Sequence, residues 1–209
     1  MPLPHILKIT EIFPSIQGEG LRQGCPTLFV RLSGCNLKCR FCDTKYSWKE
    51  GKDYSVAKVV EEIKSLRRRF PARWVCVTGG EPLLQDITGL IRELKRENIR
   101  IQVETNGTFY HPLPVDWYTV SPKPEKYFFH PEYRDKAKEV KVLVTRELEF
   151  DVIRSLRREF PLETPLFLQP QSNRKWSMNR GMRILKKALN SGLKNIRLSV
   201  QLHKVYGLK

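Results

Sequence analysis

Short apolar runs alternate with amphipathic segments of helical period along this chain, and this alternation limits the fold more than any other feature of the sequence. The run TLFVRLSG (27–34) is typical of a strand, because β-branched and aromatic residues are frequent in it. The segment SVAKVVEEIKSLRRRF (55–70) instead places its aliphatic residues on one stripe of a helix, with Ser55 as the capping residue. Strands that alternate with helices of this length predict a mainly parallel sheet with outer helices.

The same reading along the whole chain predicts the remaining elements. The expected strands are 27–34, 73–82, 99–107, 116–124, 138–144, 164–172 and 195–204. The expected helices are 55–70, 87–98, 149–160 and 178–192. Because the connections 107–115 and 122–137 carry no helical pattern, we expect an α/β fold of the incomplete TIM-type barrel class rather than eight regular units.

The length and composition indicate one globular domain. With 209 residues, of which 40% are hydrophobic, the chain can bury a core of its own, and no repeat or linker divides it. We therefore expect a single domain at 1–209. No apolar run is long enough to span a bilayer, and the amino-terminal MPLPHILKITEIF lacks the order of a secretory signal. We expect a cytoplasmic protein with reduced thiols and no membrane association.

The net charge is strongly positive, with 38 Lys and Arg against 22 Asp and Glu, a formal +16. Most of these basic residues lie in helical segments, where they alternate with acids. This pattern favours solvated helix faces in a charge-rich protein. A surface that binds a polyanion is the alternative.

Polar and glycine-rich segments follow the predicted strands at their carboxyl ends. These segments are SGCNLKC, TGGEP, ETNGT, SPKP, LQPQS and LHK. Because the carboxyl ends of parallel strands lie on one face of a barrel, we expect these loops to form one active site.

Cys35, Cys39 and Cys42 form the pattern CxxxCxxC and are three of only five cysteines. A structural zinc site usually has four ligands in two short pairs, and the chain has no second pair. Three thiolates in a short loop favour an iron–sulfur cluster of four irons, one of which lacks a protein ligand and is open to a small molecule. A zinc site completed by a distant His or Asp is the alternative. Cys76 is expected to be a buried hydrophobe, and Cys25 receives no role.

The pattern CxxxCxxC resembles the signature of the radical S-adenosylmethionine (SAM) enzymes, in which SAM chelates the fourth iron of a 4Fe–4S cluster and is cleaved to a radical. The resemblance places Phe41, the residue before the last cysteine, near the adenine of SAM. The segment GGEP (79–82) resembles the second motif of these enzymes, whose backbone receives the amino group of SAM.

Further segments resemble one family within this group, the 7-carboxy-7-deazaguanine synthases. They are FPSIQGEG (13–20), FVRLSGCNLKCRFCDTKYSW (29–48), VTGGEPLLQ (77–85), VETNGT (103–108), VSPKP (120–124), LQPQ (168–171) and LHK near the end. The resemblance implies conversion of 6-carboxy-5,6,7,8-tetrahydropterin to 7-carboxy-7-deazaguanine, with loss of ammonia, on the route to queuosine-type or archaeosine-type deazapurines of tRNA. It also implies a homodimer, a magnesium ion and an external electron donor of the flavodoxin or ferredoxin type.

The resemblance assigns roles to particular residues of this chain. Those expected to bind the pterin are Ile16, Gln17, Gly18, Glu19, Arg31, Thr78, His203, Lys204 and Lys209. Those expected to bind SAM are Phe41, Gly79, Gly80, Glu81, Glu104, Ser121, Pro122, Lys123, Gln169, Pro170, Gln171 and Ser172. Thr44 is the expected magnesium ligand. No residue is expected to be catalytic in itself, because the cluster and SAM carry the radical chemistry.

Simple chemistry supports two of these roles. Glu19 offers a carboxylate to the N–H donors of the aminopyrimidinone edge of the pterin. Arg31 lies in an apolar strand, where a guanidinium needs an anion, and either the substrate carboxylate or a structural salt bridge would supply it. The family usually ends in proline, whereas this chain ends in Lys209, so closure of the pocket by the last residue is an open question.

Two other functions fit part of the pattern. A glycyl-radical-enzyme activating enzyme has the same cysteine spacing, but it acts on a protein loop and has no need for IQGEG. A basic nucleic-acid-binding protein with a structural cluster is suggested by the net charge alone. If the chain has the activity implied by its resemblance to the 7-carboxy-7-deazaguanine synthases, it is not expected to require nucleic acid.

Overall fold

The computed structural model of this protein describes residues 6–209. The first five residues, part of the segment on which the expectation about a secretory signal depends, lie outside that range. The strands are β1 (Ile6–Ile16), β2 (Pro26–Leu32), β3 (Lys52–Ser55), β4 (Trp74–Gly79), β5 (Arg100–Thr105), β6 (Trp117–Val120), β7 (Ala137–Val144), β8 (Leu166–Pro170) and β9 (Ile196–Leu198). The helices are α1 (Val56–Arg69), α2 (Thr88–Arg96), α3 (Tyr133–Lys136), α4 (Phe150–Glu159), α5 (Lys175–Asn190) and α6 (Leu202–Val205).

The chain forms two compact units, each assembled from separate stretches of sequence. The first unit contains residues 6–16, 25–105 and 109–117. The second unit contains Gln17–Gly24, Asn106–Thr108 and Tyr118–Lys209. The expected single domain stays a prediction. No helix among residues 6–209 is long and apolar enough to cross a membrane.

In the first unit the strand order is β3-β1-β2-β4-β5. Strand β1 is antiparallel to both β2 and β3, whereas β2, β4 and β5 are parallel. Side chains alternate between the two faces of a strand, so Leu28, Val30 and Leu32 of β2 share one face and are fully buried. Phe29 and Arg31 therefore point to the opposite face, where Phe29 stacks on Phe13 and Arg31 pairs with Glu11.

The second unit contains the parallel strands β6, β7, β8 and β9 in that order. Strand β7 alternates in the same way, with Val140, Val142 and Val144 fully buried on one face. Its other face carries the charged residues Glu139 and Lys141, which are also buried. Each unit thus has an aliphatic face and a face that presents polar groups.

The structure confirms most of the predicted helices and strands. It adds two strands that were not predicted, β1 and β3, and it shortens the last predicted strand. Ser55 caps α1 as predicted, since its hydroxyl accepts a 3.2 Å hydrogen bond from the Lys58 amide. One helical turn, α3, lies in the connection that was expected to have none.

The prediction of a last strand at 195–204 was wrong beyond residue 198. The strand β9 ends at Leu198 and the segment LHK begins the short helix α6. The physical reason is a contact outside the sheet: the Leu202 amide donates a 2.9 Å hydrogen bond to the Gly18 carbonyl. The chain therefore leaves β9 to meet the loop that follows β1.

Candidate active site

The three clustered cysteines lie on a loop that follows β2 and is closed by backbone hydrogen bonds. We call residues 34–47 the cysteine loop. The Gly34 amide donates to the Ser47 carbonyl at 2.8 Å, and the Cys42 amide donates to the Cys39 carbonyl at 2.9 Å. Cys35, Cys39 and Cys42 are half-buried and form no disulfide among the described residues. The loop therefore presents three thiols from a segment whose two ends are fastened together.

The glycine turn after β4 packs directly on the start of the cysteine loop. The Glu81 amide donates to the Gly34 carbonyl at 2.8 Å, and the Gly80 amide donates to the Leu32 carbonyl at 3.2 Å. A methyl group built on Gly80 would lie 2.0 Å from the Gly34 carbonyl oxygen and 2.9 Å from the Cβ of Cys35. Only glycine allows this approach, so the two sequence motifs form one structural feature.

The side chain of Glu81 is used inside the protein. It is fully buried and accepts hydrogen bonds from the Leu83 amide at 3.1 Å and from the Thr105 hydroxyl at 2.8 Å. These bonds hold the turn against β5. A contact between Glu81 and SAM stays a prediction. Because its carboxylate is bonded to Leu83 and Thr105, we expect this contact to be made by the backbone of Glu81.

Arg31 has a carboxylate partner on the neighbouring strand. Its Nε lies 2.8 Å from Oε1 of Glu11, its register partner in β1, and the two side chains are 16% and 15% exposed. The Tyr46 hydroxyl donates to the same oxygen at 2.9 Å. The structure therefore supplies the anion that Arg31 was expected to need, in the form of the salt bridge considered as the alternative. Contact between Arg31 and the pterin carboxylate stays a prediction. The need to neutralise the Arg31 charge no longer supports it, because Glu11 already does so.

The other predicted residues of the first unit have weaker or local contacts. The Thr44 hydroxyl donates to Asp43 at 3.3 Å and lies 3.7 Å from the Cys42 sulfur. Thr78 is buried beside Arg31 in the register of β4 with β2. Glu104 accepts a long 3.5 Å bond from Gln102. Phe41 and Ile16 are half-buried.

In the second unit the structure brings QGEG (17–20) and LHK together. A methyl group on Gly18 would lie 1.9 Å from Nδ1 of His203, so the imidazole packs directly on this glycine. The Gln17 side chain is buried and accepts from the Glu19 amide at 3.1 Å, which shapes the turn. Lys204 donates to the Ser172 hydroxyl at 3.1 Å. Lys209 is exposed at the end of the chain.

Glu19 is held by two side chains that sequence reasoning missed. Lys141 Nζ lies 2.6 Å from Oε2 of Glu19, and the Gln201 amide donates to Oε1 at 2.7 Å. Burial is the largest single influence on this carboxyl and favours its neutral form. Lys141, together with Gln201 and His203, outweighs it and lowers the pKa of Glu19 below its ordinary value. Glu19 is therefore a carboxylate at neutral pH.

The side chain of Glu139, on β7, binds the backbone of the loop 17–24 that carries Glu19. This fully buried carboxylate accepts from the Thr119 hydroxyl at 2.7 Å and from the Leu21 amide at 2.6 Å. A methyl group on Gly20 would lie 2.4 Å from both carboxylate oxygens. The sequence of β7 carried a signal that could have identified these two residues. Glu139 and Lys141 are charges within an apolar strand, as Arg31 is in β2.

The predicted SAM segments SPKP and LQPQS lie at the ends of β6 and β8. The Ser121 hydroxyl donates to the Lys141 carbonyl at 2.9 Å, and Lys123 Nζ donates to the Ser121 carbonyl at 2.9 Å. Gln169 is 3% exposed, and within residues 6–209 its Oε1 has no hydrogen-bond partner. An unsatisfied buried acceptor is costly, so this oxygen fits a ligand that donates a hydrogen bond. Pro122 and Pro170 are buried, and Gln171 is half-buried.

Comparison with known proteins identifies the family. The profile of the Radical SAM superfamily matches residues 29–123. A 7-carboxy-7-deazaguanine synthase from Aquifex aeolicus (strain VF5) is 34% identical over 213 residues, which cover 98% of this chain and 95% of the relative. The chain belongs to the 7-carboxy-7-deazaguanine synthase family. The resemblance inferred from the sequence motifs is thereby confirmed.

Solved structures confirm the fold class of this family member. The crystal structure of QueE from Escherichia coli matches with a TM-score of 0.77 and 28% identity, covering 95% of each chain. The crystal structure of Streptococcus suis SuiB bound to S-adenosylmethionine matches with a TM-score of 0.59 and 15% identity over 79% of this chain and 48% of that one, a likeness of fold alone. The α/β fold with mainly parallel strands, of the incomplete TIM-type barrel class, is the one predicted.

Membership of this radical SAM family implies a 4Fe–4S cluster, SAM, a small-molecule substrate and a reductant. The residues present fit the first two. Three half-buried thiols on one closed loop match in chemistry the donor set that a cluster with one open iron requires. No group of three or more His, Cys, Asp or Glu side chains within residues 6–209 is arranged to hold a metal ion, so the fit of the three cysteines rests on the chemistry of their thiols.

The contact of the glycine turn with the cysteine loop leads to a first prediction. Gly80→Ala should force the turn away from Gly34 and Cys35, at a cost of about 1–3 kcal/mol in folding stability. Because the displaced turn no longer presents its backbone to SAM, we expect SAM affinity to fall at least about tenfold. The affinity is measured by equilibrium dialysis with reconstituted protein. Gly89→Ala is the matched control, because its methyl group meets nothing closer than 3.7 Å and should leave SAM affinity unchanged. Equal SAM affinity of the two variants would contradict the assignment.

Proposed function

We propose that this protein converts 6-carboxy-5,6,7,8-tetrahydropterin to 7-carboxy-7-deazaguanine, with release of ammonia. The observation that carries the proposal is the packing of Gly80 on Gly34 and Cys35, which joins the two radical SAM motifs into one feature. Similarity to a 7-carboxy-7-deazaguanine synthase over nearly the full length of both chains supports the choice of substrate. The product class serves deazapurine biosynthesis for tRNA.

Cys35, Cys39 and Cys42 would hold the 4Fe–4S cluster, and the backbone of residues 79–81 would receive the methionine end of SAM. When bound, these two groups supply the one-electron chemistry that removes a hydrogen atom from the substrate. The chain's part is to hold the reactants close and to exclude water. Residues 121–123 and 169–172, with Glu104 and Phe41, complete the SAM-binding set of the proposal. The unsatisfied Gln169 oxygen supports a role for this second group.

Recognition of the pterin is proposed for the residues around the loop 17–24. The ionised Glu19 accepts hydrogen bonds from the donor edge of the pterin, while Gln17 and Gly18 shape the turn that presents it. His203 packs on that turn, and Lys204 lies on the same helix α6. Arg31, Thr78, Ile16 and Lys209 complete the substrate-binding set of the proposal.

The buried polar network of the second unit favours this function over the alternatives. A glycyl-radical-enzyme activating enzyme acts on a protein loop and needs no buried carboxylate such as Glu19. Several basic residues of the helical segments are paired with acids, as in Lys64–Glu97, Arg96–Glu93 and Arg134–Glu159. These pairs support solvated faces rather than a nucleic-acid surface. A homodimer and a flavodoxin-type or ferredoxin-type electron donor belong to the proposal, and a cytoplasmic location stays a prediction.

The decisive assay uses the purified protein after anaerobic reconstitution with iron and sulfide. With SAM, a chemical reductant and 6-carboxytetrahydropterin, we expect 7-carboxy-7-deazaguanine to form at a rate that depends on all three, measured by mass spectrometry. Omission of SAM is the control. If SAM is cleaved while the carboxypterin is recovered unchanged, the substrate assignment fails and the cluster assignment stands.

The cluster assignment leads to a prediction for the five cysteines. Alanine at position 35, 39 or 42 should abolish both bound iron and product, because three thiolates are the whole protein ligand set. Cys25→Ala is the control and should retain both, since Cys25 lies outside the cysteine loop. Cys76→Ala should also retain iron, although this side chain is fully buried and its removal lowers stability. Iron is measured by colorimetric assay and by absorbance of the reconstituted protein. Retention of iron by all three loop variants would refute the assignment.

The proposal also places a magnesium ion at the Thr44 hydroxyl, with substrate oxygens as further ligands. Thr44→Val keeps the shape and removes the oxygen. We expect the variant to need at least about tenfold more Mg²⁺ for half-maximal turnover, with the cluster absorbance intact. Thr10→Val is the matched control, because the Thr10 hydroxyl is buried and has no hydrogen-bond partner among the described residues. An unchanged Mg²⁺ requirement in Thr44→Val would make Thr44 a residue of the turn only.

A further inference from the structure

Strand β7 presents two buried charges of opposite sign to one loop of the second unit. Glu139 accepts from the Leu21 amide and so fixes the backbone of that loop, and Lys141 donates to the Glu19 side chain at 2.6 Å. The side chain of Lys141 is 7% exposed. A lysine is rarely buried unless it is paired, and its charge here is matched by Glu19. The pair therefore fixes both the position and the charge of Glu19.

The contacts of Glu19 leave it able to accept further hydrogen bonds. An ionised carboxylate has about four acceptor positions, and Lys141 and Gln201 each use one, on different oxygens. The Glu19 side chain as a whole is 16% exposed, so it is not sealed inside the protein. A neutral carboxyl group at the same place would instead donate through one oxygen. The charge state of Glu19 thus decides how many acceptor positions the loop offers to a ligand.

We propose that Lys141 is a positioning residue for substrate selection: it holds Glu19 as a fixed carboxylate, so that the loop accepts a 2-amino-4-oxopyrimidine edge and rejects a 2,4-dioxopyrimidine edge. The first edge offers two adjacent N–H donors to the carboxylate. The second places a carbonyl oxygen where the amino group would be, and two acceptors facing each other repel. This inference rests on the proposed function, because it takes Glu19 as a contact of the pterin.

The charged groups that face Glu19 determine the sign of the pH effect. Lys141 from β7 and His203 from α6 favour the carboxylate, and Glu139 on the same face of β7 is turned to Thr119 and Leu21. Burial acts in the opposite direction. Without Lys141, only Gln201 and His203 oppose the effect of burial on Glu19. The pKa of Glu19 therefore rises relative to that in the wild type. Glu19 then takes up a proton as the pH falls, and it loses its acceptors for the pterin.

The test compares Lys141→Met with the matched control Lys138→Met, an exposed lysine on the same strand. Both are assayed with 6-carboxytetrahydropterin and with its 2-oxo analogue, 6-carboxytetrahydrolumazine, between about pH 6 and pH 8. For Lys141→Met we expect the pterin KM to rise about tenfold to a hundredfold at the acidic end and less at the basic end, with kcat changed by less than about threefold. The preference of Lys141→Met for the pterin over the 2-oxo analogue should fall at the same pH values at which its pterin KM rises. Lys138→Met should behave as wild type, with the same KM and the same dependence of KM on pH.

Two further variants cover a failure to fold and test the charge directly. The double variant Glu19→Gln, Lys141→Met removes both charges, so it should fold, lose the preference and show no rise of KM at acidic pH beyond that of wild type. Lys141→Arg keeps the positive charge and should restore the wild-type pH profile. An unchanged KM, pH profile and preference in Lys141→Met, or in the double variant where only that one folds, would overturn the inference. If wild type itself fails to turn over the carboxypterin, the proposed function fails first and the inference falls with it.

Discussion

The contact between the glycine turn and the cysteine loop is the constraint on which the site of the first unit depends. Strands β2 and β4 are parallel neighbours, and Leu32 is the register partner of Gly79. The loops that leave the two strands therefore start side by side, whatever the sequence distance between them. A side chain on Gly80 would occupy the place of the Gly34 carbonyl. Register brings the two motifs together, and the absence of a side chain lets them touch.

Charge compensation does comparable work in the second unit, where the loop 17–24 contains no strand. Burying an unpaired carboxylate costs several kcal/mol, so each buried acid must find donors. Glu139 finds a hydroxyl and a backbone amide, and Glu19 finds Lys141 and Gln201. These bonds tie the loop to β7 and to the segment that precedes α6. An irregular loop thereby acquires a fixed shape without a hydrogen-bonded ladder of its own.

Sequence patterns predicted the elements whose period is unambiguous and the residues that belong to short motifs. The helix α1 with its Ser55 cap and the parallel strands β4 and β7 are examples. Strand β1 was missed although ILKITEIFPSI is rich in β-branched residues, and its antiparallel pairing with β2 depends on register across the sequence. That omission hid Glu11, and with it the partner of Arg31. The end of β9 was misplaced for a similar reason, since a bond from Leu202 to the distant Gly18 ends it.

The two kinds of site residue differ in how visible they are in a single sequence. Thiols and turn glycines act through atoms fixed by their own backbone, so their spacing is part of their function and can be read as a motif. Lys141 acts through a carboxylate 122 positions away in the chain. Its partner can be found only when the fold places the two together, although its charge in an apolar strand already shows that a partner must exist. A charged residue inside a predicted strand therefore indicates an unseen partner of opposite sign, as Arg31 and Lys141 both do, and the structure supplies that partner as Glu11 in one unit and Glu19 in the other.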